Sequence, residues 1–138
     1  MVTNTLSICL VDDSADYRFL VEKTLRHQLP HCRILSFGDG QTLLNELLQM
    51  GEKPNLIILD QHMPKWSGHQ TLMALKQHPA HRSIPVVMMS MDATHSEINN
   101  FYQAGAAIFL RKSMDFNILK ENLLLAYQYA SKPKPISE

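Results

Sequence analysis

Asp12, Asp13, Asp60, Ser90 and Lys112 each stand at or just past the end of a short apolar run: Leu6 to Val11, Leu56 to Leu59, Val86 to Met89, and Ala106 to Leu110. If those runs are neighbouring parallel strands, the polar residues meet at one edge of a sheet. Three carboxylates converging there repel one another, so a bound cation is the natural companion of such a cluster. Mg2+ suits it, because this hard ion takes oxygen ligands at about 2.0–2.1 Å, keeps several waters and accepts a phosphoryl oxygen as a further ligand. A carboxylate so placed can act as a nucleophile toward phosphorus and form an aspartyl phosphate. The charge left on the transferring group then needs a cation and a hydrogen-bond donor, which Lys112 and the Ser90 hydroxyl supply. Taken singly, each residue has a plainer reading: Asp12 and Asp13 as helix caps, Asp60 as a turn acid before Pro64 and Gly68, Lys112 as a solvated charge. The joint pattern carries the inference, because independent surface residues have no reason to recur at four strand ends.

The elements that must hold these residues are legible as apolar segments beginning near Leu6, Cys32, Leu56, Val86 and Ala106, each followed by a stretch of helical character. This is a strand-helix unit repeated five times. In the first helix Tyr17, Val21, Leu25 and Leu29 fall four apart behind Ser14 as N-cap. The second carries Leu43, Leu44, Leu47 and Leu48 and is expected to stop at Gly51. The third, around Leu72 to Lys76, is weakly patterned, and the fourth runs through Ile98, Phe101 and Tyr102 to end near Gly105. The fifth presents Phe116, Leu119, Leu123, Tyr127 and Ala130 on one face. Continuous apolar runs at Leu56–Leu59 and Val86–Met89 suit central strands covered on both sides, whereas Arg33 and Ser36 mark the second strand as an edge. Right-handed crossovers between such strands give an open doubly wound parallel sheet whose ligands bind beyond the strands' carboxyl ends. One domain is expected over 1–130, followed by a polar tail over 131–138 punctuated by Lys132-Pro-Lys-Pro135.

Composition narrows the function. In 138 residues, thirteen Lys+Arg balance thirteen Asp+Glu, so no basic stripe is available for direct nucleic-acid binding. The start has no basic n-region and its apolar run is too short for a signal peptide or membrane span, which points to the cytoplasm. Cys9 and Cys32, both expected in strands, read as buried reduced thiols. A dinucleotide-binding enzyme would need a glycine-rich turn where the chain has Asp12-Asp13-Ser14-Ala15. A phosphatase with an aspartyl nucleophile of the haloacid dehalogenase kind would want a second acid where His62 stands, so a turnover enzyme is disfavoured.

Leu10-Val11-Asp12-Asp13-Ser14, Ile58-Leu59-Asp60-Gln61-His62-Met63-Pro64 with Gly68, Met89-Ser90, and Gly105-Ala106 leading to Phe109-Leu-Arg-Lys112 together resemble the successive signatures of the response-regulator receiver family. Gly40-Gln41-Thr42-Leu43 is similar to the family's motif at helix two, and the likeness spans Leu6 to about Ala130. The resemblance implies a flavodoxin-like sheet of five strands in the order 2-1-3-4-5 with five helices. It also implies a phosphorylation-dependent switch of a two-component or phosphorelay system. Asp60 would accept a phosphoryl group from a histidine kinase or histidine phosphotransfer protein, and Asp13, Asp60 and the His62 backbone carbonyl would ligate Mg2+, with Asp12 assisting through water. Lys112 would contact the phosphoryl group. Ser90 and Phe109 would form the switch pair, and a downstream protein would bind the face made by helix four, strand five and helix five. Such a chain promotes its own Mg2+-dependent phosphorylation and dephosphorylation without being a turnover enzyme. If complete, it carries no output domain.

Departures from the family pattern are Ser113, where proline usually follows the lysine, and Met91, whose bulk is expected to restrict access to Asp60. Without proline a cis peptide costs about 3 kcal/mol or more, so the loop holding Lys112 is expected to have a trans bond there or to be more mobile. These departures motivate one alternative, a degenerate receiver acting as a constitutive docking module. His62 and Asp92 occupy positions that in this family tend to tune phosphoryl lifetime, yet a lone histidine in an exposed loop is expected to be merely solvated. Trp66 is expected to pack the loop over helix three. The remaining histidines lack metal-binding spacing and carry no assignment.

Overall fold

The structure, a computed structural model, describes residues 6–131, without the side chains of Ala130 and Ser131. Along the chain lie β1 (Ser7–Val11), α1 (Ala15–Gln28), β2 (Arg33–Phe37), α2 (Gly40–Gln49), β3 (Leu56–Asp60), α3 (Gly68–Gln77), β4 (Val86–Ser90), α4 (His95–Gln103), β5 (Ile108–Arg111) and α5 (Phe116–Ser131). The sheet is wholly parallel in the order β2-β1-β3-β4-β5, with Ile8 beside Ile34 and Leu56, Ile57 beside Val86, and Val87 beside Ile108. The expected flavodoxin-like topology is therefore present.

Successive residues of a strand point to opposite faces, so an uninterrupted apolar run needs cover on both sides. Ile8, Leu10, Ile58, Val87 and Met89 pack with Val21 and Leu25 of α1 and Leu119, Leu123 and Ala126 of α5. Cys9, Val11, Ile57, Leu59 and Met88 pack on the other side with Leu43 and Leu47 of α2, Leu72 and Leu75 of α3, and Phe101 of α4. β3 and β4 are buried along their whole length, while β2 exposes Arg33 and Leu35 as an edge strand does.

Some local expectations shift. Cys32 lies one residue before β2 rather than within it, and both cysteines are buried and free. α2 ends at Gln49 with Met50 as an extended C-cap, so the helix stops just before Gly51 as expected, without a positive φ at that glycine. Gly105 does take a positive φ, 108°, closing α4 with its N–H donating to the Tyr102 carbonyl. In α5 the buried face is Leu119, Leu123 and Ala126, whereas Phe116 in the first turn is exposed. The weak apolar pattern of α3 is offset by a capping box, in which Ser67 accepts from the Gln70 N–H and the Gln70 side chain accepts from the Ser67 N–H. Gly68 opens that helix against the carbonyl of Asp60, where a Cβ would come within 2.3 Å of the oxygen. Trp66 is half-buried in the β3–α3 loop. Among the described residues no helix is long and apolar enough to cross a membrane. The segment Lys132 to Glu138, most of the expected tail, lies outside the described residues.

Candidate functional site

The parallel hydrogen-bond ladder continues past the strand ends and brings the polar residues together. The N–H of Asp12 donates to the Phe37 carbonyl, that of Gln61 to Met89, and that of Lys112 to Ser90. Asp12, Asp13 and Asp60 thereby offer carboxylate oxygens that all lie within 4.8 Å of one another. Asp12 and Asp60 are buried and Asp13 is exposed. Asp12 is engaged on both oxygens, accepting from the Ser14 N–H at 2.8 Å and pairing with Lys112 Nζ at 2.8 Å. Lys112 Nζ is 3.5 Å from Asp60 Oδ1.

Burial, foremost, and the neighbouring charge of Asp12 push the Asp60 carboxyl up to about 6, against the opposing pull of Lys112. The Lys112 ammonium pairs with Asp12 and Asp60 while Asp13 adds a third carboxylate to the cluster, so the donor set fits a hard divalent cation that would restore the balance. An oxygen-rich, partly open cluster of this kind leaves Asp60 able to act as a nucleophile once the neighbouring charge is compensated.

Lys112 rests on a residue that apolar spacing alone marks as core. Its Nζ lies 4.2 Å from the ring centroid of Tyr17 on α1, and the Tyr17 hydroxyl donates to the Ser113 carbonyl at 3.3 Å. Among the described residues no peptide bond is cis, so the Lys112–Ser113 bond is trans as expected. Arg18 of α1 donates to the Asp12 carbonyl. Arg111 ties β5 to the β4–α4 loop by donating to the carbonyls of Met91 and Ala93. None of these three roles has a local sequence signal, since each partner is set by how the loops converge.

Ser90 is fully buried, and its hydroxyl donates to Asp92 Oδ1 at 3.3 Å. The same oxygen lies 2.6 Å from His62 Nε2. The expectation of a merely solvated His62 is thereby corrected: the β3–α3 and β4–α4 loops converge closely enough for its ring to find an acid. That hydrogen bond, with a further contribution from Ser90, holds the Asp92 carboxyl below the usual carboxylate range. Met91 is 60% exposed. Phe109 is half-buried on β5, its ring 5.9 Å from that of Phe101 with 27° between planes, and its N–H donates to the Tyr102 hydroxyl oxygen at 2.9 Å. The Arg111 guanidinium lies 5.5 Å from the Phe109 centroid.

The family model of the response regulator receiver domain matches residues 8–124. The chain belongs to the response regulator receiver family. Response regulator Rcp1 of Synechocystis is 31% identical over 117 residues, covering 81% of this chain and 80% of that protein. Two-component response regulator ORR5 of rice is 35% identical over 107 residues, covering 76% of each. Among solved structures, the phosphorylated cyanobacterial phytochrome response regulator RcpA superposes with a TM-score of 0.83 at 26% identity, covering 95% of this chain and 100% of that one. The Mn2+-bound form of Rcp1 gives 0.80 at 26% identity, covering 95% and 99%. This receiver is a phosphorylation-dependent signalling module of the two-component kind, and the alternative of a constitutive docking module is not favoured. Receiver domains of response regulators are phosphorylated by kinases or phosphotransfer proteins, and they are in general not turnover enzymes.

Proposed function

We propose that Asp60 is the phospho-acceptor of this receiver. The observation that carries the reading is a buried carboxylate, raised to about 6, grouped with Asp12 and Asp13 beside the Lys112 ammonium. An Asp60 oxygen forms the bond to phosphorus while the bond to the donor histidine nitrogen breaks, the electron pair leaving with the nitrogen. Mg2+ is the divalent ion proposed here, held by Asp13, Asp60 and the His62 backbone carbonyl, with Asp12 acting through water. It supplies charge neutralisation at the transferring phosphoryl oxygens. Lys112 leaves Asp12 to contact the phosphoryl group, and Ser90 donates its hydroxyl to it.

The donor is a histidine kinase or histidine phosphotransfer protein, and the chain is a switch rather than a turnover enzyme. A downstream protein reads the face of α4, β5 and α5. Exposed Tyr102, and Ile118, Leu125 and Tyr129 spaced seven and four apart along α5, support that surface. The buried free thiols Cys9 and Cys32 suit the cytoplasm. We take residues 1–130 as the receiver unit. Acetyl phosphate with Mg2+ tests the central assignment: the intact protein should gain one phosphoryl mass and Asp60→Asn none, whereas labelling of the mutant would overturn it.

A further inference from the structure

We propose that Tyr17 is a positioning residue for phosphoryl transfer, acting through Lys112, a role that rests on Asp60 being the acceptor and Lys112 its phosphoryl contact. A lysine side chain is a point charge on a flexible stem, and the β5–α5 loop that carries this one has Ser113 where a proline ring would have stiffened the backbone. One side chain from the opposite end of the sequence holds that loop at two points. The Tyr17 ring lies against the Lys112 ammonium at 4.2 Å, and its hydroxyl donates to the carbonyl of Ser113, 96 residues away, at 3.3 Å.

Tyr17 is itself well anchored. It stands in the first turn of α1, its N–H donates to the N-cap Ser14 Oγ, and it is only 4% exposed. Its ring therefore presents a dry, electron-rich face to the ammonium, where cation–π attraction is stronger than at a wet surface. Confined in this way, Lys112 Nζ stays between Asp12 at 2.8 Å and Asp60 at 3.5 Å. The move from the Asp12 carboxylate to a phosphoryl oxygen on Asp60 becomes a short displacement over the ring rather than a search through solvent. Without the ring the stem regains rotamers that lead away from Asp60, and misplacement of a catalytic charge by about 1 Å can cost up to a hundredfold in rate.

The test is a double-mutant cycle on the rate of labelling by acetyl phosphate and Mg2+, read by intact mass, with Mg2+ affinity measured alongside by calorimetry. Tyr17→Leu is expected to slow labelling about tenfold in the wild-type background and to have little further effect in Lys112→Ala, with Mg2+ affinity unchanged. Tyr17→Phe keeps the ring and loses only the loop hydrogen bond, so it should stay within about threefold of wild type. An equal slowing by Tyr17→Leu with and without Lys112 would mean a general loss of structure and would overturn the proposal. A Tyr17→Phe rate as low as that of Tyr17→Leu would likewise remove the ring from the account. Failure of the wild type to label at all, or a Lys112→Ala protein that labels like wild type, would instead overturn the underlying assignment of Asp60 or Lys112, and the role of Tyr17 with it.

Discussion

His62 Nε2 and Asp92 Oδ1 lie 2.6 Å apart across two loops, and that carboxylate oxygen is also the one that accepts the Ser90 hydroxyl. Exposed pairs of this kind add little to stability because water screens them and ordering both side chains costs entropy. Their consequence is geometric. Asp92 holds the Ser90 hydroxyl in a direction it must abandon if it is to donate to a group on Asp60.

Removing that competitor should favour the phosphorylated geometry. Asp92→Ala is expected to bind beryllofluoride, a phosphoryl mimic, about fivefold more tightly with Mg2+, the equivalent of about one neutral hydrogen bond. The gain should disappear in Asp92→Ala combined with Ser90→Ala. Titration followed by fluorescence of Trp66 checks it, and equal affinities for Asp92→Ala and wild type would exclude competition for Ser90.

Asp60 carries a stability cost that can be measured directly. Its carboxyl is raised from 3.8 to about 6, so between those pH values the folded chain retains a proton that the unfolded chain has released. Stability therefore falls as pH rises through this window and stays lower above it. Asp60→Asn, which nearly preserves volume, should be more stable than wild type at pH 7 by about 2–3 kcal/mol without divalent metal. The advantage should vanish below pH 4 and shrink when Mg2+ is added at pH 7. Urea denaturation at both pH values decides this, and a difference independent of pH would contradict the assigned electrostatics.

Asp12 and Asp13 should not be equivalent toward metal. Both Asp12 oxygens are engaged by the Ser14 N–H and Lys112, whereas Asp13 is exposed. Asp13→Ala is therefore expected to weaken Mg2+ binding at least tenfold and Asp12→Ala by less, since only a direct ligand loses an ion–oxygen bond. Calorimetric titration of the two variants gives the comparison, and equal losses would end the distinction between direct and water-mediated contact.

Ser90→Ala should separate labelling from signalling. Asp60 keeps its nucleophile and its metal cluster, so phosphorylation should persist. The surface of α4, β5 and α5 should respond less, because no hydroxyl turns inward to help Phe109 follow. Moving a switch from 1:99 to 99:1 takes about 5.5 kcal/mol, more than one neutral hydrogen bond supplies, so Lys112 and metal must contribute and the loss should be partial. Hydrogen exchange before and after phosphorylation should change over Thr94 to Gln103 and α5 in the wild type and less in Ser90→Ala. A change centred on residues 39–50 instead would locate the switch elsewhere.

Sequence alone determined the five strand-helix units, the buried middle of the sheet and the acids and lysine at its carboxyl edge. Those features are written in periodicity: apolar runs such as Leu56–Leu59 and Val86–Met89 can be satisfied only by cover on both faces, and the residues after each run must then emerge at the same edge. Tertiary structure alone decided who touches whom across that edge. The spacing of Tyr17, Val21 and Leu25 marks a ring that faces inward, but cannot reveal that it lies under an ammonium on a loop beyond β5. His62 and Asp92 are 30 residues apart and meet only because their loops converge. His81, one histidine among several in the sequence, is 2% exposed and stacked at 4.2 Å on His78. Periodicity reports the direction in which a side chain leaves its own element. The partner it meets depends on the course of loops whose conformation is set by distant packing, and no local pattern encodes that.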